Sequence, residues 1–574
     1  MATLQFTEGT DLPKSVYRRK QLLPNIIDGM AKTRPLALYA ETPRSLTTYD
    51  AGYRKITYGA LANAINGVAW LLKKSLGQGR AHQTLVYIGA NDLGYVVMIL
   101  GAVKAGYKLL LGSPRNTIAD HISLFKATDC NVLLTSSAPR SPLVTSILEA
   151  CSLQVFDSPS LHELLDNNYP HYPFPKTFAE ARKEPLVVVH TSGTTSVPKP
   201  IIYTHDFVSS YIQWLQLEPP SGFESQVSLV QSNRLFVTLP FFHAGNLHAT
   251  LFDAIANQTT IVTSPAGITP SAQVMLDGLK HTKVDSIILA APFMEQIAKS
   301  PEMLDFIARN LETITYGGGD ISETAGGTMA SKSRVFTFYG STETGYFPTI
   351  RPLGKDPAED WKYIQMHPAA GIEFRHSVDR LFEDFIIRNT NFKDEQPVFK
   401  IFPQLMEYPT KDLWAVHPSK PNLWAYHGRA DDIIVFGPGY MCNPAAMEQH
   451  VAQHAKVRAA LMVSTGRSQP ALLVEPVSSD ALSRAEKHDF LEDLYPLVRE
   501  ANQGYKVGAR IFKSHIIFTE PEHPMQRAGK GTVQRAHTLQ YYRDTLDALY
   551  AREGDSVPGN ELVLPSFESE IEKD

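Results

Sequence analysis

Cysteine is nearly missing: Cys130, Cys151 and Cys442 are the 3 in 574 residues, at spacings that fit neither a disulfide framework nor a zinc site. A reduced, intracellular compartment is the simplest expectation. Long apolar runs are missing too. The most membrane-like stretch, Tyr95 to Leu111, is interrupted by Lys104 and Lys108 and falls short of a span. The start, Met1-Ala-Thr-Leu-Gln-Phe-Thr-Glu8, lacks the basic residues and apolar run of a signal peptide. A cytoplasmic chain with no membrane partner is therefore expected. Neither sign of charge dominates: 54 Lys and Arg against 59 Asp and Glu leave a formal net charge of -5, which offers nucleic acid no global attraction. Tyr17-Arg18-Arg19-Lys20 is too short to change that. A Walker loop, a protein-kinase signature, a fixed-period repeat and a low-complexity tract are all absent, which disfavours motors, kinases and solenoids.

What is present is the material of a large soluble core. Hydrophobic residues make up 43% and charged residues 20% of the chain, and its length calls for two or three domains. Short apolar runs bounded by Gly, Pro, Ser or Thr recur, among them Pro185–His190, Leu235–Leu239, Asp285–Ala290 and Arg334–Phe338. Between them lie helical patterns such as Leu61 to Lys74, where Leu61, Ala64, Ile65 and Val68 fall at i, i+3, i+4 and i+7. Strands alternating with helices predict an α/β fold with largely parallel sheets. The pattern resets near Tyr426–Asp432, and a shorter α/β unit follows to about Tyr542. The stretch from Gly554 is acidic and reads as a tail or linker.

The segment Val187-Val-Val-His-Thr-Ser-Gly-Thr-Thr-Ser-Val-Pro-Lys199 runs a buried strand into a loop of hydroxyls, one glycine and a lysine. Freed backbone N–H groups, hydroxyls and an ammonium suit a polyphosphate. Farther on come the glycine-rich Thr315-Tyr-Gly-Gly-Gly-Asp320, then Phe338-Tyr-Gly-Ser-Thr-Glu-Thr-Gly345, Tyr408-Pro-Thr-Lys-Asp412, His427-Gly-Arg-Ala-Asp431 and Pro524-Met-Gln-Arg-Ala-Gly-Lys-Gly-Thr-Val-Gln-Arg535.

These six segments resemble, in order, the signatures of the adenylate-forming superfamily, which includes acyl- and aryl-CoA ligases, nonribosomal peptide synthetase adenylation domains and firefly luciferase. The resemblance spans roughly residues 50 to 540. It implies a large multi-sheet α/β domain (1–427) that binds ATP and the acid, a small mobile α/β lid (428–545) carrying the catalytic lysine, and an acidic tail (546–574). The active site would lie in the cleft between core and lid. By the same resemblance Thr191, Ser192, Gly193, Thr194, Thr195 and Lys199 cradle the phosphates. Gly318 and Gly319 let backbone approach the adenine and the acyl pocket. Tyr339 stacks on adenine, Thr342 reaches the α-phosphate and Glu343 helps hold Mg²⁺, since a carboxylate facing triphosphate oxygens is repulsive without a divalent cation between them. Asp412 grips the ribose hydroxyls, Arg429 contacts the nucleotide and Asp431 is the hinge. Lys530 bridges the substrate carboxylate and the α-phosphate.

Within the superfamily, Val103–Lys108, Gly112–Thr117 and Gly529–Arg535 look like the fungal synthetase-like branch. Its members join an adenylation domain to a thiolation domain and a reductase and convert carboxylic acids to aldehydes. Neither later domain has room here, so an excised adenylation domain is expected, passing its product to a phosphopantetheine thiol. A stand-alone aryl- or acyl-CoA ligase using coenzyme A is the alternative; an inactive nucleotide-binding assembly module is a third reading. Amino-acid activators carry an Asp after the Phe near position 241, where Phe241-Phe-His-Ala-Gly-Asn246 stands here. Burying an unpaired ammonium costs several kcal/mol, so a non-amino acid is expected; the resemblance to the branch implies an aromatic one, in a pocket walled by His243, Asn246, Phe293 and Gly318. Related reductases carry a basic residue in the loop after the hinge. It is missing from Gly437-Pro-Gly-Tyr-Met-Cys-Asn443, which bears on thiol transfer and leaves adenylation untouched.

Overall fold

Four consecutive buried residues, Leu186 to Val189, fill the centre of the strand Pro185–His190. A strand apolar on both faces belongs inside a covered, mostly parallel sheet. It occupies that place in a six-stranded sheet ordered Gln154–Asp157, Val132–Thr135, Thr84–Tyr87, Lys108–Leu111, Pro185–His190, Pro200–Thr204. All pairings there are parallel except the last, which is antiparallel. The computed structural model describes residues 20–136, 140–191, 198–230, 233–355, 358–378, 380–436, 440–463, 469–505, 509–527 and 531–553.

The chain divides into two units, Met1–Gly428 with Arg527–Thr532, and Arg429–Gln526 with Val533–Asp574. The first holds two further large sheets. One is seven-stranded, ordered Arg334–Phe338, Thr313–Gly317, Ser286–Ala290, Arg234–Val237, Thr260–Thr263, Leu38–Pro43, Tyr53–Thr57, and is parallel except at its last pair. The other, also seven-stranded, was not foreseen from a pattern that called for largely parallel sheets. Its strands, including Leu381–Ile387 against Glu407–Val416, pair antiparallel. Burial in its strand Leu381–Ile387 alternates over Asp384, Phe385 and Ile386, as expected for a sheet with one face more open than the other.

The helix expected over Leu61–Lys74 runs Tyr58–Leu76. Thr57 caps it by accepting from the Ala60 N–H, and Leu61, Ala64, Ile65 and Val68 are buried. The membrane-like stretch resolves into the fully buried helix Gly94–Lys104 and the strand Lys108–Leu111. An all-round apolar helix belongs in a large core, and the buried Lys104 ammonium is satisfied there by Asp28 at 2.7 Å and Asn66 at 2.9 Å. Among the described residues no helix is long and apolar enough to cross a membrane.

The second unit builds its own core from Met447, Val451, Met462, Leu472, Val474, Leu494 and Val498. Its sheet is ordered Val457–Val463, Ala471–Pro476, Ile516–Phe518. A lid ending near residue 545 is too short. The helix Arg543–Glu553 continues the unit and buries Leu546, Leu549 and Tyr550, spaced i, i+3, i+4, beside Leu461 and Val463. The tail expected from 546 therefore begins no earlier than 554.

Candidate active site

The strands Thr313–Gly317 and Arg334–Phe338 run parallel and end in register, Gly317 beside Phe338. Ligand sites of parallel sheets form beyond such carboxyl ends. A side chain on Gly317 would place Cβ 2.7 Å from the Phe338 carbonyl oxygen. The backbone then turns at Gly318 with φ +79°, a conformation that favours glycine. Gly318 is exposed and Gly319 half-buried. Phe293, half-buried, sits on the helix Ala291–Ala298 that follows the adjoining strand Ser286–Ala290.

Beyond Phe338 the chain folds into a hairpin, Gly340–Ser341 against Gly345–Tyr346, with Thr342 and Glu343 at its tip. Gly345 makes this turn possible: its φ is +69°, and an added Cβ would lie 2.4 Å from the Tyr211 ring. Tyr203 donates its hydroxyl to the Thr342 carbonyl at 2.5 Å. That single bond ties the hairpin tip to the strand Pro200–Thr204, which directly follows the hydroxyl-rich loop. The neck of that loop is closed by two bonds: Thr191 N–H to Lys199 O at 3.1 Å and Lys199 N–H to Thr191 Oγ1 at 3.3 Å. Lys199 is exposed and Thr191 half-buried. Ser192, Gly193, Thr194, Thr195 and Lys530 lie outside the described residues.

Glu343 is half-buried and makes no hydrogen bond or ion pair to another described residue. No group of three or more His, Cys, Asp or Glu among the described residues is arranged to hold a metal alone. A single carboxylate suffices to hold Mg²⁺ when nucleotide oxygens and water complete the octahedron, so Glu343 fits that ion.

Tyr339 and Asp412 meet directly. The Tyr339 hydroxyl lies 2.8 Å from Asp412 Oδ2, and its ring packs on Trp414 and Phe347 with centroids 4.5 and 4.7 Å away. The same hydroxyl is 3.1 Å from Oδ2 of Asp384. Asp384 is fully buried and Asp412 is 6% exposed. The Thr410 hydroxyl and the Trp414 indole N–H, the latter at 2.9 Å, both donate to Asp384 Oδ1. Burial, then the neighbouring Asp412 charge, pushes the Asp384 carboxyl well above the usual carboxylate range.

The acid-pocket candidates separate into two kinds. His243 is half-buried; its Nδ1 accepts from the Gly245 N–H at 3.1 Å, capping a short helix. Asn246 is fully buried, with its Nδ2 donating to the Leu239 carbonyl and its Oδ1 accepting from Thr250 at 2.8 Å. It shapes the loop from behind. Tyr346, on the hairpin, reaches the same loop by donating to the Gly245 carbonyl at 3.0 Å. In the second unit Arg429 and Asp431 face each other at 3.5 Å around the turn Ala430–Asp432. The sequence reading missed Asp384, Tyr203 and Tyr346. A charged residue at the inward phase of an apolar strand marks Asp384; nothing marks the two tyrosines.

The chain matches the family model described as AMP-binding enzyme over residues 37–375, and that described as AMP-binding enzyme C-terminal domain over 431–554. It is 31% identical to a carboxylic acid reductase of Neurospora crassa, over 95% of this chain and 52% of that protein. It is 27% identical to the adenylate-forming reductase Nps9 of Serpula lacrymans, over 90% of this chain and 48% of that protein. The chain thus spans about half the length of these curated relatives. The solved anthranilate CoA ligase AuaEII in complex with anthranoyl-AMP shares the fold, with a TM-score of 0.68 and 15% identity over 94% of this chain and 100% of that one. With more than half its length matched by the first of these models, the chain belongs to the AMP-binding enzyme family.

Proposed function

We propose that this chain activates an aromatic, non-amino carboxylic acid as its acyl-adenylate and delivers the acyl group to a phosphopantetheine thiol, for reduction to an aldehyde by thiolation and reductase domains of a longer polypeptide. The observation that carries the nucleotide half is the Tyr203–Thr342 bond, which holds the phosphate-loop strand and the Thr342–Glu343 turn together, with Tyr339, three residues before Thr342, joined to Asp412. In this reading a carboxylate oxygen of the acid attacks the α-phosphorus in line, the bond from that phosphorus to the α,β-bridging oxygen breaks, and pyrophosphate leaves. The Thr191–Lys199 loop holds the β- and γ-phosphates. The Tyr339 ring stacks on adenine beside Gly318 and Gly319, while Asp412 and Arg429 take the ribose and nucleotide contacts. Thr342 and Lys530 steady the charge on the five-coordinate phosphorus, the kind of oriented electrostatic help that dominates phosphoryl chemistry. Glu343 would hold Mg²⁺, which when bound neutralises triphosphate charge.

His243, Phe293 and Gly318 form the acid pocket, with Asn246 behind it. No carboxylate follows Phe242 to pair with an α-ammonium, and an unpaired buried charge is costly. The delivery step draws on the relatives, whose names are carboxylic acid reductase and adenylate-forming reductase. The test is direct: incubate the chain with Mg²⁺, ATP and a panel of benzoates and cinnamates, and look for the acyl-adenylate by mass spectrometry. A phosphopantetheine-loaded carrier domain and free coenzyme A are then offered as acceptors. The expected result is an adenylate that loads the carrier. Loading of coenzyme A alone would favour a free-standing ligase, and no adenylate from any acid would overturn the proposal.

A further inference from the structure

Two buried carboxyl groups and one phenol meet at the nucleotide-facing turn, and their protons can be counted. The Tyr339 hydroxyl has one proton and two carboxylate neighbours, Asp412 Oδ2 at 2.8 Å and Asp384 Oδ2 at 3.1 Å. It can donate to only one of them. Asp384 Oδ1 already accepts from the Thr410 hydroxyl and the Trp414 N–H. Thr410 in turn accepts from the Asp412 backbone N–H at 3.1 Å, so its own proton points at Asp384. If both acids were ionised, one carboxylate oxygen would face the phenol oxygen with no proton between them, beside the fully buried Asp384. A proton on Asp384 Oδ2 resolves this: Asp384 donates to Tyr339 oxygen, and Tyr339 donates to Asp412.

We propose that Asp384 is a positioning residue for nucleotide binding, carrying a proton that it donates to Tyr339 so that the ring and the Asp412 carboxylate are locked in the arrangement that holds adenosine. The inference rests on the nucleotide-site reading above. Burial and the adjacent Asp412 charge both favour the protonated acid, in the same direction as the proton count. The titratable groups facing Asp384 are Asp412, from the neighbouring strand, and Tyr339, from the turn after Phe338. Thr410 and Trp414 complete its shell and do not titrate in this range. Once Asp384 loses its proton, two carboxylates compete for one phenol proton and repel each other. Nucleotide affinity should then fall, by up to about tenfold per pH unit above that point.

The experiment is calorimetric titration of the full chain with ATP and Mg²⁺ from pH 6 to 9, comparing wild type, Asp384→Asn and Asp384→Leu, with Asp412→Ala as control. Asparagine keeps the shape, presents N–H₂ to Tyr339 and C=O to Thr410 and Trp414, and has no proton to lose. Expected is a wild-type affinity that weakens at alkaline pH and an Asp384→Asn affinity that does not follow it, the titration of ATP itself being common to both. Asp384→Leu should bind about tenfold or more weakly at every pH, the scale of leaving a buried polar partner unpaired, with asparagine restoring most of the loss. Parallel pH profiles for wild type and Asp384→Asn would overturn the proposal, and this comparison decides the matter even if the leucine variant fails to fold. Unchanged ATP binding by Asp412→Ala would instead bring down the nucleotide-site reading on which the proposal rests.

Discussion

On the proposed mechanism, replacing Lys530 by alanine removes one positive charge from the reacting phosphorus and leaves Tyr339, Asp412 and the Thr191–Lys199 neck intact. Acid-dependent pyrophosphate exchange should fall by about 10²-fold or more, the usual scale for losing one preorganised electrostatic group, while ATP binding changes little. Exchange near the wild-type rate would remove Lys530 from the mechanism. A different residue sets a stability expectation. Burial pushes the Asp253 carboxyl up to about 7, against roughly 3.9 in an unfolded chain. Between those values the folded state binds the extra proton, so stability is greatest at the acid end of the window and is lost as pH rises towards 7. The buried Asp92, raised to about 6, acts in the same direction. Asp253→Asn should flatten part of that decline in melting temperature for the first unit between pH 5 and 7.5. Parallel curves for the two proteins would contradict it. Tyr211, which donates to Asp253 at 3.1 Å, keeps its partner in the variant.

The turn Ala430–Asp432 is the element on which a two-step cycle would depend. The division between the two units falls between Gly428 and Arg429, and Gly428 has φ +110°. Asp431→Pro fixes φ and removes the pairing with Arg429. On the hinge reading, adenylate formation is expected to persist and thioester formation to fall sharply. Equal loss of both half-reactions would make Asp431 merely structural. Elements were unevenly legible before the structure. Pro185–His190 announced itself because a strand buried on both faces reads as a nearly unbroken apolar run. The antiparallel sheet did not, since strands such as Tyr363–Met366 alternate over only four residues and carry no apolar run. The helix Arg543–Glu553 was hidden by its acidic and basic outer face, although Leu546, Leu549 and Tyr550 carried the helical spacing. Motif residues were placed by resemblance; Asp384 was marked only as a charge at the inward phase of an apolar strand, and Tyr203 and Tyr346 make contacts far apart in sequence that no local pattern encodes.

At the scale of the whole molecule, the chain holds two units with separate cores and spans about half the length of the curated reductases it matches. The central claim is that the first unit selects an aromatic acid and couples it to AMP. The most direct test is ATP–pyrophosphate exchange across benzoates, cinnamates, fatty acids and α-amino acids under one set of conditions. Aryl acids should stimulate exchange, and the matched amino acids phenylalanine and tyrosine should not, because no carboxylate stands after Phe242 to pair with an ammonium. Exchange with phenylalanine or tyrosine exceeding that with every benzoate and cinnamate would contradict the account.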